Sequence, residues 1–267
     1  MNEVGQVDRF KKLKAFWLLV GLTSFGDACR FVCGWICRAK DVPVRLKNPS
    51  CTIFLRPRNS DFEVLLQTFI AKGCDVREEL GRAKRVIDGG ANVGFTAIQF
   101  ADSYPNAEII AVEPESENYA MLVRNTRAFP NIKPVRAAIW PRPARVQLSS
   151  ESDARSWAFK TREATAEESS SCEAIPIDAL VNAEIPADLL KLDIEGAEWP
   201  LLEETGLDWL LHSRVVILEL HGRDKVARLH RALQGRPVLI ACQHEKHVIW
   251  PDVFTDGQKH DLNQTGI

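Results

Sequence analysis

Four stretches of this sequence end an apolar run in an ionisable residue, the kind of side chain that moves protons or holds hydroxyls. The first is Val86-Ile87-Asp88-Gly89-Gly90-Ala91-Asn92-Val93-Gly94. An apolar strand stops at an acid and turns through glycines into a helix. Glycines let a backbone approach a ligand closely, and a helix N-terminus offers unpaired N–H groups. The glycines fall at 89, 90 and 94, which departs from the Gly-x-Gly-x-x-Gly of dinucleotide sites. An acid before the turn suits a zwitterionic, phosphate-free cofactor whose ammonium it can meet. In the second stretch Glu113 ends Ile109-Ile110-Ala111-Val112, where an acid can accept both hydroxyls of an adenosine ribose. The third is Leu189-Leu190-Lys191-Leu192-Asp193-Ile194-Glu195-Gly196-Ala197-Glu198-Trp199, with Asp193 at the strand end. The fourth, Val215-Val216-Ile217-Leu218-Glu219-Leu220-His221, closes on Glu219 and His221.

These residues meet only if their strands lie side by side, and the pattern around them predicts that. Strand signals at Thr52–Arg56, Arg85–Asp88, Glu108–Glu113 and Lys133–Ile139 are separated by helical periods at Val93–Ser103 and Glu115–Ala128. Ser60 with Glu63 reads as a capping box for a lead-in helix. The alternation resumes with Leu189–Asp193, Ala197–Glu204, Arg214–Leu220 and Asp224–Leu233. Such alternation predicts an α/β fold, a doubly wound parallel sheet with helices on both faces. Ligands then bind outside the carboxyl ends of the strands. The tail, Pro237–Cys242 and His247–Trp250 with no helix between, predicts a closing antiparallel hairpin. Residues 149–173 lack a period and read as a flexible insertion or lid. The expected division is an N-terminal helical, basic extension over 1–50 and one catalytic domain over 51–267.

Composition narrows the function classes. The chain has 267 residues, 45% hydrophobic and 26% charged, which excludes a disordered or polytopic membrane protein. Residues 1–85 carry 16 Lys+Arg against 9 Asp+Glu, and the remainder 18 against 27. An acidic body with a basic front is a poor grip for nucleic acid, so none is expected as a partner. The seven cysteines are irregularly spaced, which favours a reduced, cytoplasmic setting. Cys29, Cys33 and Cys37 fall four apart, as a plain helical stripe does. Residues 9–40 leave two readings open. One is an N-terminal helix packed on the body. The other is a peripheral contact with the inner face of a membrane, Phe16, Trp17 and Leu18 in the interface and Lys11, Lys12 and Lys14 at headgroups.

Together, Asp88-Gly89-Gly90-Ala91-Asn92-Val93-Gly94, Glu113-Pro114, Ile177-Asp178, Lys191-Leu192-Asp193-Ile194-Glu195-Gly196-Ala197-Glu198 and Glu219-Leu220-His221 resemble the FkbM-type family of S-adenosylmethionine-dependent methyltransferases. The resemblance implies a seven-stranded class I methyltransferase (Rossmann-like) sheet. It also implies O-methylation, often of sugar hydroxyls in glycans, glycolipids or secondary metabolites. On that reading Asp88, Gly90, Asn92, Gly94, Glu113 and Asp193 hold S-adenosyl-L-methionine. Asp193, Glu219 and His221 are the catalytic candidates, with His221 as general base because an ordinary imidazole, pKa about 6.5, is largely neutral in the cytoplasm. Glu219 would orient His221 or bond the acceptor, and Glu195 and Glu198 would support them. A divalent cation on Asp193, Glu219 and His221 is the alternative use of those three. Two rivals stand beside this. A nicotinamide-dependent nucleotide-sugar oxidoreductase is opposed by the glycine spacing and by the lack of Tyr-x3-Lys, since Tyr104 and Tyr119 are followed by Glu108 and Val123. A non-catalytic binding module is opposed by acids at every expected rim position.

Overall fold

The computed structural model describes residues 3–72, 74–150, 159–163, 171–221, 225–236, 238–243 and 246–251. The chain opens with two helices, α1 (Glu3–Leu22) and α2 (Phe25–Ile36), where the sequence suggested one. Ser24 divides them: its backbone is extended, and its side chain accepts from the Asp27 amide at 3.1 Å, an N-cap. A hairpin of β1 (Val42–Arg45) and β2 (Thr52–Leu55) follows, then α3 (Asp61–Leu66), a wider turn over Gln67–Ala71 and α4 (Arg77–Leu80). The expected capping box does not form, because the Ser60 side chain makes no cap bond. Its neighbour Asp61 is buried instead and accepts from the Arg56 amide (2.8 Å) and guanidinium (2.7 Å).

Alternation proceeds through β3 (Arg85–Gly89), α5 (Phe95–Ser103), β4 (Glu108–Val112), α6 (Ser116–Thr126) and β5 (Ile132–Val135). The single strand expected over Lys133–Ile139 is broken. β5 is the edge of the main sheet, where Pro134 needs no N–H to donate, and β6 (Ala138–Trp140) enters a second sheet. That sheet has the order β6-β9-β7-β8, completed by β7 (Ala144–Ser150), β8 (Phe159–Glu163) and β9 (Ser171–Pro176). The 149–173 stretch therefore contains strand rather than only irregular chain; 151–158 and 164–170 lie outside the described residues. A period of two explains it. Ala144 pairs with Ala174 and Val146 with Cys172, and this row packs on the core beneath.

The chain continues through α7 (Ile177–Leu180), β10 (Ala187–Leu192), α8 (Glu198–Glu204), α9 (Asp208–Leu211), β11 (Ser213–Glu219) and α10 (Lys225–Ala232). The described residues close with the expected hairpin, β12 (Val238–Gln243) and β13 (Lys246–Pro251). The main sheet has seven strands in the order β12-β13-β11-β10-β3-β4-β5. Pairing is parallel from β11 to β5, and β13 runs antiparallel to β11. Numbered within this sheet from the β5 edge, the order is 3-2-1-4-5-7-6, the doubly wound class I methyltransferase arrangement. Alternate residues feed two cores: Val86 and Leu189 join one face, Ile87 and Leu190 the other. The first core also takes Leu19, Ala28, Val44 and Ile53, so the N-terminal helices and first hairpin pack into the body. The strand order reverses at β3, between β4 and β10, and this opens a crevice at their carboxyl ends.

Two glycines test how tightly that end of the sheet is closed. Both have positive φ, +73° at Gly90 and +95° at Gly196. A Cβ on Gly90 would lie 1.7 Å from the Asp193 carbonyl oxygen, while Gly196 has nothing within 4 Å. Gly196→Ala is expected to cost about 1–2 kcal/mol of backbone strain in urea unfolding. Gly90→Ala should cost about 1–3 kcal/mol more from the clash; equal losses would contradict the close approach.

Candidate active site

The turn after β3 is built by backbone conformation. Gly90, Asn92 and Gly94 all adopt positive φ (+73°, +49° and +91°), and the curled chain donates from Gly90 N and Ala91 N to the Val112 carbonyl, both at 3.0 Å. α5 starts directly behind it with no side-chain cap, which leaves its first N–H groups for a ligand. Glu113 is buried and clips this turn to the next loop, accepting from Asn92 N and Glu115 N at 2.9 Å each. Burial pushes the Glu113 carboxyl up to about 7, against those two bonds, which favour the charged form.

The sequence reading passed over the residue that holds the crevice floor together. Lys191 sits inside the apolar end of β10, 3% exposed, with its ammonium 3.1 Å from Asp88 and 3.8 Å from Asp193. It also donates to the carbonyls of Gly90 (2.8 Å) and Gly89 (3.3 Å). Burial alone would lower the Lys191 pKa, but the charges of Asp88 and Asp193 outweigh it and hold it above the ordinary lysine value. Asp88 is fully buried, and among the described residues neither of its oxygens accepts a hydrogen bond beyond this ion pair. The ammonium facing Asp88 is thus the chain's own, where the sequence suggested a cofactor's. A lysine within Leu189-Leu190-Lys191-Leu192 was the available signal, since a charge in a buried strand must be paired.

The rim is formed by Asp193, Glu195, Glu219 and His221, whose side chains are 27%, 32%, 22% and 34% exposed. Behind them Glu198 is fully buried. It accepts from Ile194 N and Gly196 N at 2.8 Å each, and its Oε1 lies 3.3 Å from His221 Nδ1. His221 Nε2 faces Glu195 Oε2 at 3.4 Å, and Glu195 itself adopts φ +53°. His221 is therefore oriented by Glu198 and Glu195. Glu219, expected to orient the ring or to bond the acceptor, pairs with Lys246 at 3.2 Å, and Lys246 donates onward to the Cys74 sulfur. Burial would lower the His221 pKa, but the bond and charge of Glu198, with the charges of Glu195 and Asp193, raise it to about 9. Burial pushes Glu195 up to about 8, partly opposed by His221. The imidazole is consequently protonated at neutral pH, a correction to the expectation that it is largely neutral there.

All eight residues expected in the site, Asp88, Gly90, Asn92, Gly94, Glu113, Asp193, Glu219 and His221, lie at this carboxyl end of the sheet. Asp193, Glu219 and His221 each bring one ligand atom within 4.8 Å of the others. A cation there would compete with Lys246 for Glu219, with Lys191 for Asp193 and with the protons on His221.

A family model described as the methyltransferase FkbM domain matches residues 88–236. No curated relative matches the sequence. Solved structures with a likeness to the chain include precorrin-6y C5,15-methyltransferase from Geobacter metallireducens GS-15, 16% identical, over 73% of this chain and 89% of that one, TM-score 0.39. Another is a putative O-methyltransferase from Klebsiella pneumoniae, 15% identical, over 68% and 78%, TM-score 0.39. A third is TYW2 from M. jannaschii in complex with AdoMet, 12% identical, over 79% and 84%, TM-score 0.42. The strand order, rather than these distant likenesses, identifies the fold.

The charge state of the rim is directly measurable. Following the His221 ring by NMR should give an apparent pKa near 9. In Glu198→Gln it should fall by at least about one unit, because a charged acceptor is replaced by a neutral one. A wild-type value near 6.5 would contradict the arrangement.

Proposed function

The chain belongs to the FkbM methyltransferase family, whose methyl donor is S-adenosylmethionine, and from that premise we propose that it methylates a hydroxyl oxygen, most simply one on a sugar of a glycan, glycolipid or secondary metabolite. The observation that carries the reading is the rim. Asp193, Glu195, Glu219 and His221 supply acceptors for a polyol and a place for its proton. The same carboxylates would repel a phosphate backbone, so a nucleic acid acceptor fits poorly.

When bound, S-adenosylmethionine supplies an electrophilic methyl group on a sulfonium. The residues present fit such a molecule. The uncapped start of α5 suits its carboxylate, and the left-handed backbone at Gly90, Asn92 and Gly94 curls the turn in front of that helix start. Asp88 acts at one remove, by holding Lys191 beneath the turn. Glu113 fixes the turn and would be the acid that takes the ribose hydroxyls. Asp193, just past β10, would lie near the donor's methyl group and the acceptor.

Much of the catalysis is alignment, since the displacement is in line. The acceptor hydroxyl also has to lose its proton. Glu195 and His221 titrate together, so one shared acceptor is a better description than a lone base. The acceptor hydroxyl would give up its proton to this pair, and the donor, when bound, would supply the methyl group that takes the proton's place. Glu198 keeps the ring aimed throughout. The internal cations Lys191, Lys246 and His221 offset the acidic rim without a metal.

Incubation with labelled donor and a panel of lipid-linked and nucleotide-linked sugars should yield a methyl ether. Methylation only on nitrogen or carbon would refute the O-specific reading. The rate should rise as pH passes through about 8–9, where Glu195 and His221 lose their protons, and not level off above 6.5. Asp193→Asn is expected to lower kcat by about 10²–10⁴ with donor affinity nearly kept. Activity should survive exhaustive chelation; loss restored by Mg²⁺ would instead assign Asp193, Glu219 and His221 to a cation.

A further inference from the structure

The N-terminal helices have two apolar faces, and the fold uses only one. On α2 the inner face packs against the body: Ala28 and Gly34 are buried, and a Cβ on Gly34 would lie 2.3 Å from Val42. Phe31 meets the Phe62 ring at 5.5 Å. The outer face carries Phe25, Cys29, Val32 and Ile36, spaced as one helical stripe. Phe25, Val32 and Ile36 are 59%, 40% and 64% exposed. The patch continues onto α1, where Trp17, 57% exposed, lies 6.5 Å from the Phe25 ring, with Phe16 edge-on to both at 5.7 Å. Of the eleven large apolar side chains exposed among the described residues, six fall between Leu13 and Ile36. A soluble surface scatters such residues singly; a contiguous aromatic patch marks a contact.

The charges around the patch say what kind. Residues 13–47 hold six Lys and Arg against two acids. Both acids are already neutralised: Asp27 pairs with Arg30, and Asp41 with Arg124 at 2.8 Å. Lys14, Arg38 and Lys40 are exposed, and Arg58 lies over the exposed Trp35 ring at 5.5 Å. Among the described residues no helix is long and apolar enough to cross a membrane. Tryptophan and phenylalanine flanked by uncompensated cations, on helices too short or too polar to span, match the chemistry of an anionic lipid surface.

We propose that the outer face of α1 and α2 docks the protein on anionic membrane, Trp17, Phe25, Val32 and Ile36 entering the interface and the surrounding cations meeting headgroups. This differs from the contact suggested by sequence, in which Phe16 and Leu18 joined Trp17. In the structure Phe16 and Leu18 are half-buried, and α2 carries most of the exposed stripe.

Flotation of the full chain tests this with vesicles of phosphatidylglycerol and phosphatidylcholine against phosphatidylcholine alone. The protein should float with the anionic vesicles, bind phosphatidylcholine at least about tenfold more weakly, and be released by salt. Trp17→Glu with Phe25→Glu should reduce flotation at least about tenfold with unchanged circular dichroism. Should that variant misfold, the wild type still decides: its tryptophan emission should shift to the blue, and acrylamide quenching fall, on adding anionic vesicles. No flotation, equal binding to both vesicles, or an unchanged emission would overturn the proposal. So would a stable dimer in solution that Trp17→Glu dissociates, since a second copy would then own the patch.

Discussion

A single buried ammonium sets the shape of the crevice. Lys191 stands in the middle of a seven-stranded sheet, with Asp88 from β3 on one side and Asp193 from its own strand end on the other. It also ties down the carbonyls of the turn. Removing one partner of such a pair leaves a buried charge alone, typically at a cost of about 3–5 kcal/mol. The close approach of Gly90 to Asp193 and the helix start behind the turn both depend on this anchor. Asp88, near the end of β3, is therefore part of the floor, and the rim is formed by the more exposed Asp193, Glu195, Glu219 and His221.

The rim repeats the same device with weaker burial. Glu219 has Lys246, and Glu195 and Glu198 have His221 between them. Lys246 comes from the antiparallel hairpin at the sheet edge and also reaches Cys74, so the last strands among the described residues take part in the site. Because acids outnumber cations here, protons are held more tightly than usual. At Glu195 burial adds to that imbalance, and at His221 the surrounding carboxylates outweigh burial, so both groups titrate above their ordinary values. A lone imidazole of ordinary pKa would be a different machine.

Much of this was legible in the sequence. The order of strands and helices followed from periodicity, and every expected site residue reached the same sheet end, because a parallel doubly wound sheet brings its strand termini together. What sequence could not show was who pairs with whom. Glu219 lies two residues from His221 in the chain and Glu198 twenty-three, yet it is Glu198, beyond the turn at Glu195-Gly196, that comes within 3.3 Å of the ring. The second sheet was missed for a similar reason. Its inward row, Ala144, Val146, Cys172 and Ala174, is small and weakly apolar, and lies among serines and glutamates that hide the period. At Ser60 a local capping signal lost to Asp61, whose partner Arg56 buries it more favourably.

The central claim is that the turn held by Lys191 is the seat of the methyl donor. Calorimetric titration with S-adenosylhomocysteine tests it most directly. Wild-type protein should bind one equivalent saturably, and Lys191→Met, still folded by circular dichroism, should bind at least about tenfold more weakly because the turn loses its anchor. Absence of binding to the wild type, or equal affinity in the two proteins, would contradict the account.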